Sequence, residues 1–437
     1  MLTAGLMFPA LFALILLGIP VAFSLTIVAV GAGLMAFGDV AFAQLYGSFY
    51  SASTNFILSA VPIFILMGAL LERSGIAERL YQVMNMWLGR FPGGLALATI
   101  AMGAIFAAAA GVVGAVEVMI GMMAIPAMQK ARYPNSLIAG TICAGGSLGT
   151  MIPPSVIAVM YASLAQLSVG KILAAMMLPG LIMVGLFLAY ILIHGTIFPV
   201  KREAGDVPEV DLPLAVKVRA TITTLLPVFL LIFAVLGSIM GGIASPTEAA
   251  AVGAAGALIL CALNRRLSPG VLTESLSISV RISAMILLIV AAGTMFMGTF
   301  MANGGSKLIR EFIETAGLGT TGMIVFFLLI VFLLGFVLDW TANVLIVVPL
   351  FTPLVRAAGI DPVWFATMVL VVIQTGYLTP PMAPSIFYLK SIAPPDMTYG
   401  QMCRGVLPFI VLQAVTLALI AAFPWLATWL PDQIVGF

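Results

Sequence analysis

Long apolar runs alternate with short polar segments along the whole chain, and this pattern predicts membrane-spanning helices. A run of roughly 20 residues is long enough for a helix to cross a hydrocarbon core of about 30 Å. Only helices and closed barrels satisfy their backbone hydrogen bonds in lipid, and the alternating pattern of barrel strands is absent. We therefore expect an all-α polytopic membrane protein.

Residues 1–200 are predicted to form one unit with five crossings. Residues 4–37 are too long for a single crossing, and Pro20 divides them into two. The segment 91–128 has a small-residue centre and basic flanks, which is typical of a re-entrant helical hairpin. The predicted parts are scaffold helices in 1–81, including a third crossing over 46–71 and an amphipathic segment at 72–81, a hairpin and a broken helix in 91–167, and a return helix at 172–198.

Residues 201–219 form a charged connecting loop, and residues 220–437 repeat the same plan. The predicted parts are scaffold helices in 222–302, with crossings at 222–240, 246–263 and 280–302, a hairpin and a broken helix in 318–390, and a last helix at 406–425. Near the start of this half, Ser245 and Glu248 have the spacing of a capping box at a helix N-terminus.

The two halves share motifs in the same order, which indicates an internal duplication. Pro153-Pro154 recurs as Pro380-Pro381, Ile125-Pro126 as Val348-Pro349, and Leu178-Pro179 as Leu407-Pro408. Five crossings are an odd number, so the second half must be inserted upside down relative to the first. Most Lys and Arg residues fall on the side of the 201–219 loop, which is therefore predicted to be cytoplasmic, with both termini periplasmic.

Composition narrows the class of protein. Hydrophobic residues make up 62% of the chain, charged residues 8%, and the mean hydropathy is +1.22. Because soluble folds carry about 25% charged residues, a soluble enzyme, a nucleic-acid binder and a disordered scaffold are all excluded. No P-loop lysine or catalytic signature occurs, so we expect no enzyme activity, and energy for transport would come from an ion gradient or from elsewhere.

Two helices carry glycines followed by a proline pair, at Gly145–Ser155 and Gly376–Ser385. Proline lacks an N–H and clashes with the preceding turn, so each pair should break its helix and leave carbonyl groups without helical partners. Within a membrane, such carbonyls are tolerated where they line a cavity or meet a ligand. Together with nearby hydroxyls they suit a small hard cation such as Na⁺. The alternative is a proline kink that packs against neighbouring helices.

Each break follows a hairpin with a carboxylate near its tip, Glu117 in the first hairpin and Asp339 in the second. Intramembrane carboxylates are energetically expensive and commonly functional. Half-helices that end in the membrane also direct their partial charges towards its centre, so an anion and a cation can both be bound there. The alternative is that each carboxylate caps a helix N-terminus or accepts from a local donor.

A set of short motifs along nearly the whole chain points to a known family. They are Gly18-Ile-Pro20, Ser74-Gly75, Phe91-Pro-Gly-Gly94, Ala144–Ser155, Ser168-Val-Gly-Lys171, Leu178-Pro-Gly180, Ser245–Gly253 and Leu378-Thr-Pro-Pro381. By these motifs the chain resembles the large membrane subunit of tripartite ATP-independent periplasmic (TRAP) transporters, the DctM-like permeases.

The resemblance implies a bacterial inner-membrane subunit that works with a small four-helix membrane subunit and a periplasmic substrate-binding protein. It also implies a scaffold, an elevator-type transport domain that holds both hairpins, and import of a small organic anion, a carboxylate or sulfonate, driven by Na⁺. One departure is the first tip, which reads Ala107-Ala-Ala-Ala-Gly111 where the family usually carries a serine-rich run. Backbone carbonyls would have to replace the hydroxyl ligands at that tip.

The resemblance places the ion and substrate region at the two tips and the two breaks. The expected Na⁺ ligands are Ala108, Gly111, Gly145, Gly149, Gly335, Asp339, Thr341, Gly376 and Thr379. The expected substrate contacts are Ser147, Thr150, Ser155, Thr379, Ser385 and Asn343. Lipid surrounds the chain in this hypothesis, and nucleic acid has no role.

Two other functions fit parts of the pattern. A Na⁺/dicarboxylate symporter that needs no binding protein would share the hairpins and breaks, and the four-helix partner would distinguish it. An ion channel or a membrane scaffold belongs to a different class and predicts an open pore or no flux. The paired breaks argue against that class, because a channel does not need facing ligands in two inverted repeats.

Overall fold

The computed structural model describes residues 2–110, 113–199, 213–315, 317 and 319–434, and within them the chain is helical with no strand. The first half contains helices α1 (Leu2–Leu16), α2 (Val21–Phe37), α3 (Val40–Ser53), α4 (Ala60–Arg73), α5 (Ile76–Leu88), α6 (Gly94–Ala110), α7 (Val113–Lys130), α8 (Asn135–Ser147), α9 (Val156–Ala165) and α10 (Val169–Ile197). The all-α prediction is confirmed.

The second half begins after residues 200–212, which lie outside the described part and include most of the predicted loop at 201–219. Its helices are α11 (Leu214–Met240), α12 (Pro246–Leu263), α13 (Pro269–Ala302), α14 (Gly305–Thr315), α15 (Thr320–Leu334), α16 (Trp340–Ala357), α17 (Pro362–Leu378), α18 (Pro384–Ile392), α19 (Tyr399–Ala422) and α20 (Trp425–Gln433).

The lengths and surfaces of these helices suit a membrane. Within the described residues, seven helical stretches of 18 or more residues are apolar enough to cross one, and several shorter apolar helices accompany them. Large apolar side chains also face outwards, as with Leu16, Met35 and Phe233, which are 80%, 86% and 76% exposed. Soluble monomers rarely expose large contiguous apolar patches, so the outer surface fits lipid. The chain is a multi-pass membrane protein.

One predicted crossing differs from the structure. The segment 46–71 was expected to be a single helix, but α3 ends at Ser53 and α4 begins at Ala60. Asn55 separates them because its side chain accepts from the Ile57 backbone N–H at 3.1 Å and donates to Ser163 Oγ at 2.9 Å. A short 3-10 turn, Phe56–Ser59, then leads into α4. The Asn55 side chain thus takes a backbone bond that would otherwise be helical, and the pattern of apolar residues does not reveal this.

Two further differences concern helix ends. Helix α13 begins at Pro269, earlier than the predicted crossing at 280–302, because Ser268 caps it by accepting from the Val271 backbone N–H. Helix α20 follows the last predicted crossing and was not predicted. The capping box at α12 is confirmed: the Ser245 N–H donates to Glu248 Oε2 at 2.7 Å, and the Glu248 N–H donates to Ser245 Oγ at 3.3 Å.

For description we divide the helices into two groups, which also contact each other. The frame group is α1–α5 with α11–α14, in which α13 contacts α2, α3 and α4, and α12 contacts α4. The hairpin group is α6–α10 with α15–α20, in which α8 contacts α6, α7 and α19, and α17 contacts α15 and α19. Each group draws helices from both halves of the sequence. Helices α4, α5 and α13 of the frame group contact α6 and α16 of the hairpin group.

Candidate functional site

The first predicted break lies between α8 and α9. Helix α8 ends at Ser147, a 3-10 turn covers Leu148–Thr150, and α9 begins only at Val156. The buried hydroxyls of Ser147, Thr150 and Ser155 donate to the carbonyls of Ala144, Ser147 and Thr150 at 2.8–2.9 Å. A hydroxyl that donates its only hydrogen keeps its oxygen lone pairs. The break therefore contains oxygen atoms that can accept a further bond.

The second break lies between α17, which ends at Leu378, and α18, which begins at Pro384. Thr375 Oγ1 donates to the Val371 carbonyl at 2.8 Å, and Thr379 Oγ1 donates to the Thr375 carbonyl at 2.6 Å. Each break contains a cis proline–proline peptide, Pro153-Pro154 and Pro380-Pro381. The two predicted breaks are thus both present, and neither stretch is a continuous helix.

Each hairpin packs directly on the helix that precedes the matching break. A Cβ on Gly103 of α6 would lie 2.8 Å from the Gly145 carbonyl oxygen of α8. In the other half, a Cβ on Gly335, at the end of α15, would lie 3.4 Å from Gly376 Cα of α17. Glycine at these positions lets the two backbones approach. Three predicted ligands, Gly145, Gly335 and Gly376, therefore lie where a hairpin meets a break.

The two breaks are joined by a residue that the sequence reasoning missed. Gln374 of α17 is wholly buried, and its Nε2 donates to Ser147 Oγ of α8 and to Met183 Sδ, both at 3.3 Å. Gln374 Oε1 is buried and has no hydrogen-bond partner among the described residues. The available signal was a lone amide in the apolar run 363–378, because buried amides are expensive unless they are hydrogen-bonded.

Asp339 of the second tip serves as the N-cap of α16. Its Oδ2 accepts from the Thr341 N–H at 3.1 Å and its Oδ1 from the Ala342 N–H at 3.4 Å. Asn343 Nδ2 donates to the Val331 carbonyl at 3.0 Å, within the same hairpin. Thr341 Oγ1 and Asn343 Oδ1 are buried without a partner among the described residues. The tip therefore keeps polar oxygens that are not used in local bonds.

The first tip is less completely described. Gly111 lies outside the described residues, and Ala108 is buried. Glu117, in the second turn of α7, is wholly buried, and its Oε1 accepts from Ser385 Oγ of α18 at 2.6 Å. Ser385 is thus placed beside the first hairpin. Gly149, the remaining predicted ligand, is buried in the 3-10 turn of the first break.

The described ion pairs lie away from these residues. Arg73 pairs with Glu274 at 2.6 Å, and Lys307 pairs with Glu311 at 3.7 Å. Neither Glu117 nor Asp339 pairs with a described basic side chain. Arg356 instead donates to the Ala165 carbonyl at the end of α9. The site is therefore built from oxygen atoms and two carboxylates, a donor set that suits a small hard cation.

Comparison with known proteins gives one consistent result. Residues 8–426 match the family model described as the tripartite ATP-independent periplasmic transporter, DctM component. The chain is 32% identical to the ectoine/5-hydroxyectoine TRAP transporter large permease protein UehC of Ruegeria pomeroyi, over 98% of this chain and 99% of that protein. It is 29% identical to the C4-dicarboxylate TRAP transporter large permease protein DctM of Pseudomonas aeruginosa, over 88% of each.

The fold is also similar to a solved structure. The crystal structure of the YdaH transporter of Alcanivorax borkumensis superposes with a TM-score of 0.67, covering 96% of this chain and 100% of that one. The two sequences are 15% identical, so this likeness concerns the fold alone.

Proposed function

We propose that this chain, which belongs to the DctM component family of tripartite ATP-independent periplasmic transporters, imports a small organic anion coupled to the entry of Na⁺. The observation that carries the proposal is the pair of broken helices, each packed against its own hairpin and joined to the other through Gln374 and Ser147. Broken helices that meet inside a membrane protein are a common way to bind ions and substrate.

The donor set supports Na⁺ as the coupling ion. One group of proposed ligands combines Gly145 and Gly149 of the first break with Ala108 and Gly111 of the first tip, of which Gly111 lies outside the described residues. The other group surrounds the second break: Gly335, Asp339, Thr341, Gly376 and Thr379. The buried, unpartnered Thr341 Oγ1 fits a cation ligand in the second group. Carbonyl and hydroxyl oxygens are hard ligands that replace the hydration shell of such an ion.

The substrate proposal rests on the relatives and on the hydroxyls near the breaks. Dicarboxylate and ectoine, named for two relatives, share a carboxylate group. Ser147, Thr150, Ser155, Thr379, Ser385 and Asn343 are the proposed contacts for a carboxylate or a sulfonate. Because Ser385 already donates to Glu117, its contribution to the substrate would have to be as part of that pair.

Transport by an elevator motion is consistent with the two helix groups. We propose that the hairpin group moves against the frame group and carries the ion and the substrate with it. One polar link between the groups is the hydrogen bond from Asn55, just before α4, to Ser163 Oγ of α9. This donor–acceptor pair would have to part during the motion, and a hydrogen bond has a net stabilising effect of about 1 kcal/mol.

The remaining parts of the proposal concern assembly and location. We propose that the chain works in a bacterial inner membrane with a small four-helix membrane subunit and a periplasmic substrate-binding protein. The two halves would be inverted repeats of five crossings, with both termini in the periplasm. The matched contacts α6 with α8 and α15 with α17 support such a repeat.

Uptake by proteoliposomes tests the proposal. Vesicles that contain this chain and the small subunit are mixed with candidate binding proteins and radiolabelled carboxylates or sulfonates. We expect uptake only with the binding protein and an inward Na⁺ gradient. Uptake without the binding protein would favour the alternative symporter, and uptake that ignores the gradient would refute Na⁺ coupling. As a control, Glu311→Gln changes an exposed carboxylate in an ion pair with Lys307 and should support the same uptake as the wild type.

A further inference from the structure

Glu117 is the most unusual buried group in the hairpin group. Its side chain is wholly inaccessible and lies against Gly146 of α8 and Ser385 of α18. The titratable groups within electrostatic reach are Cys143 of α8, Tyr377 of α17 and Tyr388 of α18, and all three are neutral side chains at ordinary pH. No described basic side chain pairs with the carboxylate. A buried carboxylate in such surroundings needs a positive partner or must be neutralised.

The two carboxylate oxygens of Glu117 have different surroundings. Oε1 accepts from Ser385 Oγ at 2.6 Å, whereas Oε2 is buried and has no hydrogen-bond partner among the described residues. A proton on Oε2 would neutralise the carboxylate and create an O–H group that itself needs an acceptor. A metal cation instead uses the lone pairs of Oε2 and of the Ser385 hydroxyl, which remain available after Ser385 has donated.

Close packing fixes this carboxylate against the first break. A Cβ on Gly146 of α8 would overlap Glu117 Cγ, so the side chain lies directly on the glycine backbone. Helix α7 also approaches α18 closely, because a Cβ on Gly114 would lie 2.7 Å from the Tyr388 ring. Glu117 is therefore held between three elements, the first hairpin, the first break and the helix after the second break.

We infer that Glu117 and Ser385 are ligands of one further Na⁺ site, in addition to the two groups of ligands proposed above. The inference rests on the proposed Na⁺ coupling and adds one ion to it. A Na⁺ bound here would neutralise Glu117 and tie α7, α8 and α18 together. The hairpin group would then be most compact in the ion-loaded form.

Equilibrium binding of radioactive sodium tests this inference without any knowledge of the substrate. The protein is purified in detergent with the small subunit that accompanies it, and Na⁺ bound per transporter is measured to saturation. We expect Glu117→Gln to bind one Na⁺ fewer than the wild type. The variant is nearly isosteric, and its amide oxygen can still accept from Ser385, so it should remain folded. Glu311→Gln, which alters an exposed carboxylate, should bind as the wild type does.

A second variant keeps the test informative if Glu117→Gln does not fold. Ser385→Ala removes the hydroxyl ligand and leaves the carboxylate, so it should raise the Na⁺ concentration for half-saturation of one site by about tenfold or more. Normal Na⁺ binding by a folded Glu117→Gln, or by Ser385→Ala, would overturn the inference. A change in the pH dependence of transport with unchanged Na⁺ binding would assign a proton to Glu117 and would also overturn it.

The outcomes also separate this inference from the proposed function. If the wild-type protein binds no Na⁺, then Na⁺ coupling itself is wrong. If the wild type and Glu117→Gln bind the same number of ions, the coupling stands and only the extra site is lost.

Discussion

The two hairpins each carry one carboxylate near the tip, and the structure gives the two carboxylates different roles. In the second hairpin, both oxygens of Asp339 accept from backbone N–H groups and cap α16. In the first hairpin, Glu117 accepts one hydrogen bond from Ser385 of α18, which is far away in sequence, and its second oxygen has no described partner. Glu117 and Asp339 lie nine and ten residues before Pro126 and Pro349. This similar spacing does not make the two carboxylates equivalent, because their partners decide what each can bind.

The largest expected difference between the two hairpins is in the stability that each gains by packing on its break. In Gly103→Ala, the new Cβ would lie 2.8–2.9 Å from backbone atoms of Gly145, which cannot move independently of α8. In Gly335→Ala, the nearest atom is the Phe332 carbonyl oxygen at 3.2 Å, followed by Gly376 Cα at 3.4 Å. We expect Gly103→Ala to lower the free energy of unfolding by about 2–3 kcal/mol, and Gly335→Ala by about 1 kcal/mol.

Thermal unfolding of the purified protein in detergent measures both variants, with the wild type as reference. Equal losses in the two hairpins would show that the first is packed no more tightly than the second.

A smaller difference in stability is expected from the hydrogen bonds at the outer ends of the hairpins, which we call the outer links. Arg356 of the second hairpin donates to the Ala165 carbonyl at 2.8 Å and so satisfies the end of α9. Gln129 of the first hairpin and Asn135 at the start of α8 both donate to Asp396 Oδ2 at 3.1 Å. Arg356→Met removes its charged donor completely and should cost about 1–2 kcal/mol, whereas Asp396→Asn keeps an acceptor and should cost about 0.5 kcal/mol.

Unfolding in a denaturing detergent series provides the measurement for this pair. A larger cost for Asp396→Asn would mean that the first hairpin, and not the second, depends on its outer link.

Two variants of Asp339 separate its role as a helix cap from the role of its negative charge. Asp339→Ala removes the acceptor of two backbone N–H groups and should lower stability by about 1 kcal/mol, whereas Asp339→Asn should stay close to the wild type because Asn is an equally good N-cap. Both variants lack the negative charge. If Asp339 also serves as a Na⁺ ligand, both should raise the Na⁺ concentration for half-maximal uptake, and Asp339→Ala should abolish Na⁺-dependent uptake.

The paired readouts, thermal stability and Na⁺ dependence of uptake, distinguish the two roles. Normal uptake by Asp339→Asn would leave the second carboxylate with capping alone.

The smallest stability change is expected where the two breaks meet. Gln374→Met removes a donor whose bond to Ser147 Oγ is long, at 3.3 Å, and also removes an unpartnered buried oxygen. Losing the hydrogen bond destabilises the protein, and removing the unpartnered oxygen stabilises it. The two effects should nearly cancel, so the free energy of unfolding should change by less than about 0.5 kcal/mol. Na⁺-dependent uptake should nevertheless fall, because the polar link between the breaks is lost. Uptake equal to the wild type would show that the breaks act without this link.

Much of the fold could be predicted because its signals are local. Apolar runs predicted helices, and Pro153-Pro154 and Pro380-Pro381 predicted breaks that the structure contains. The division between α3 and α4 was not predicted, because the Asn55 side chain both accepts from the nearby Ile57 N–H and donates to Ser163, more than a hundred positions away along the chain. A hydropathy pattern cannot contain that information.

The sequence alone determined the class of protein, the positions of both breaks and the glycines that flank them, because hydropathy and proline geometry act within a few residues. Only the tertiary structure decided the partners of the buried polar groups. Ser385 lies 268 positions from Glu117, and Gln374 lies 227 positions from Ser147. A buried polar side chain is stabilised by the donors and acceptors that surround it in space, and packing alone brings those groups together.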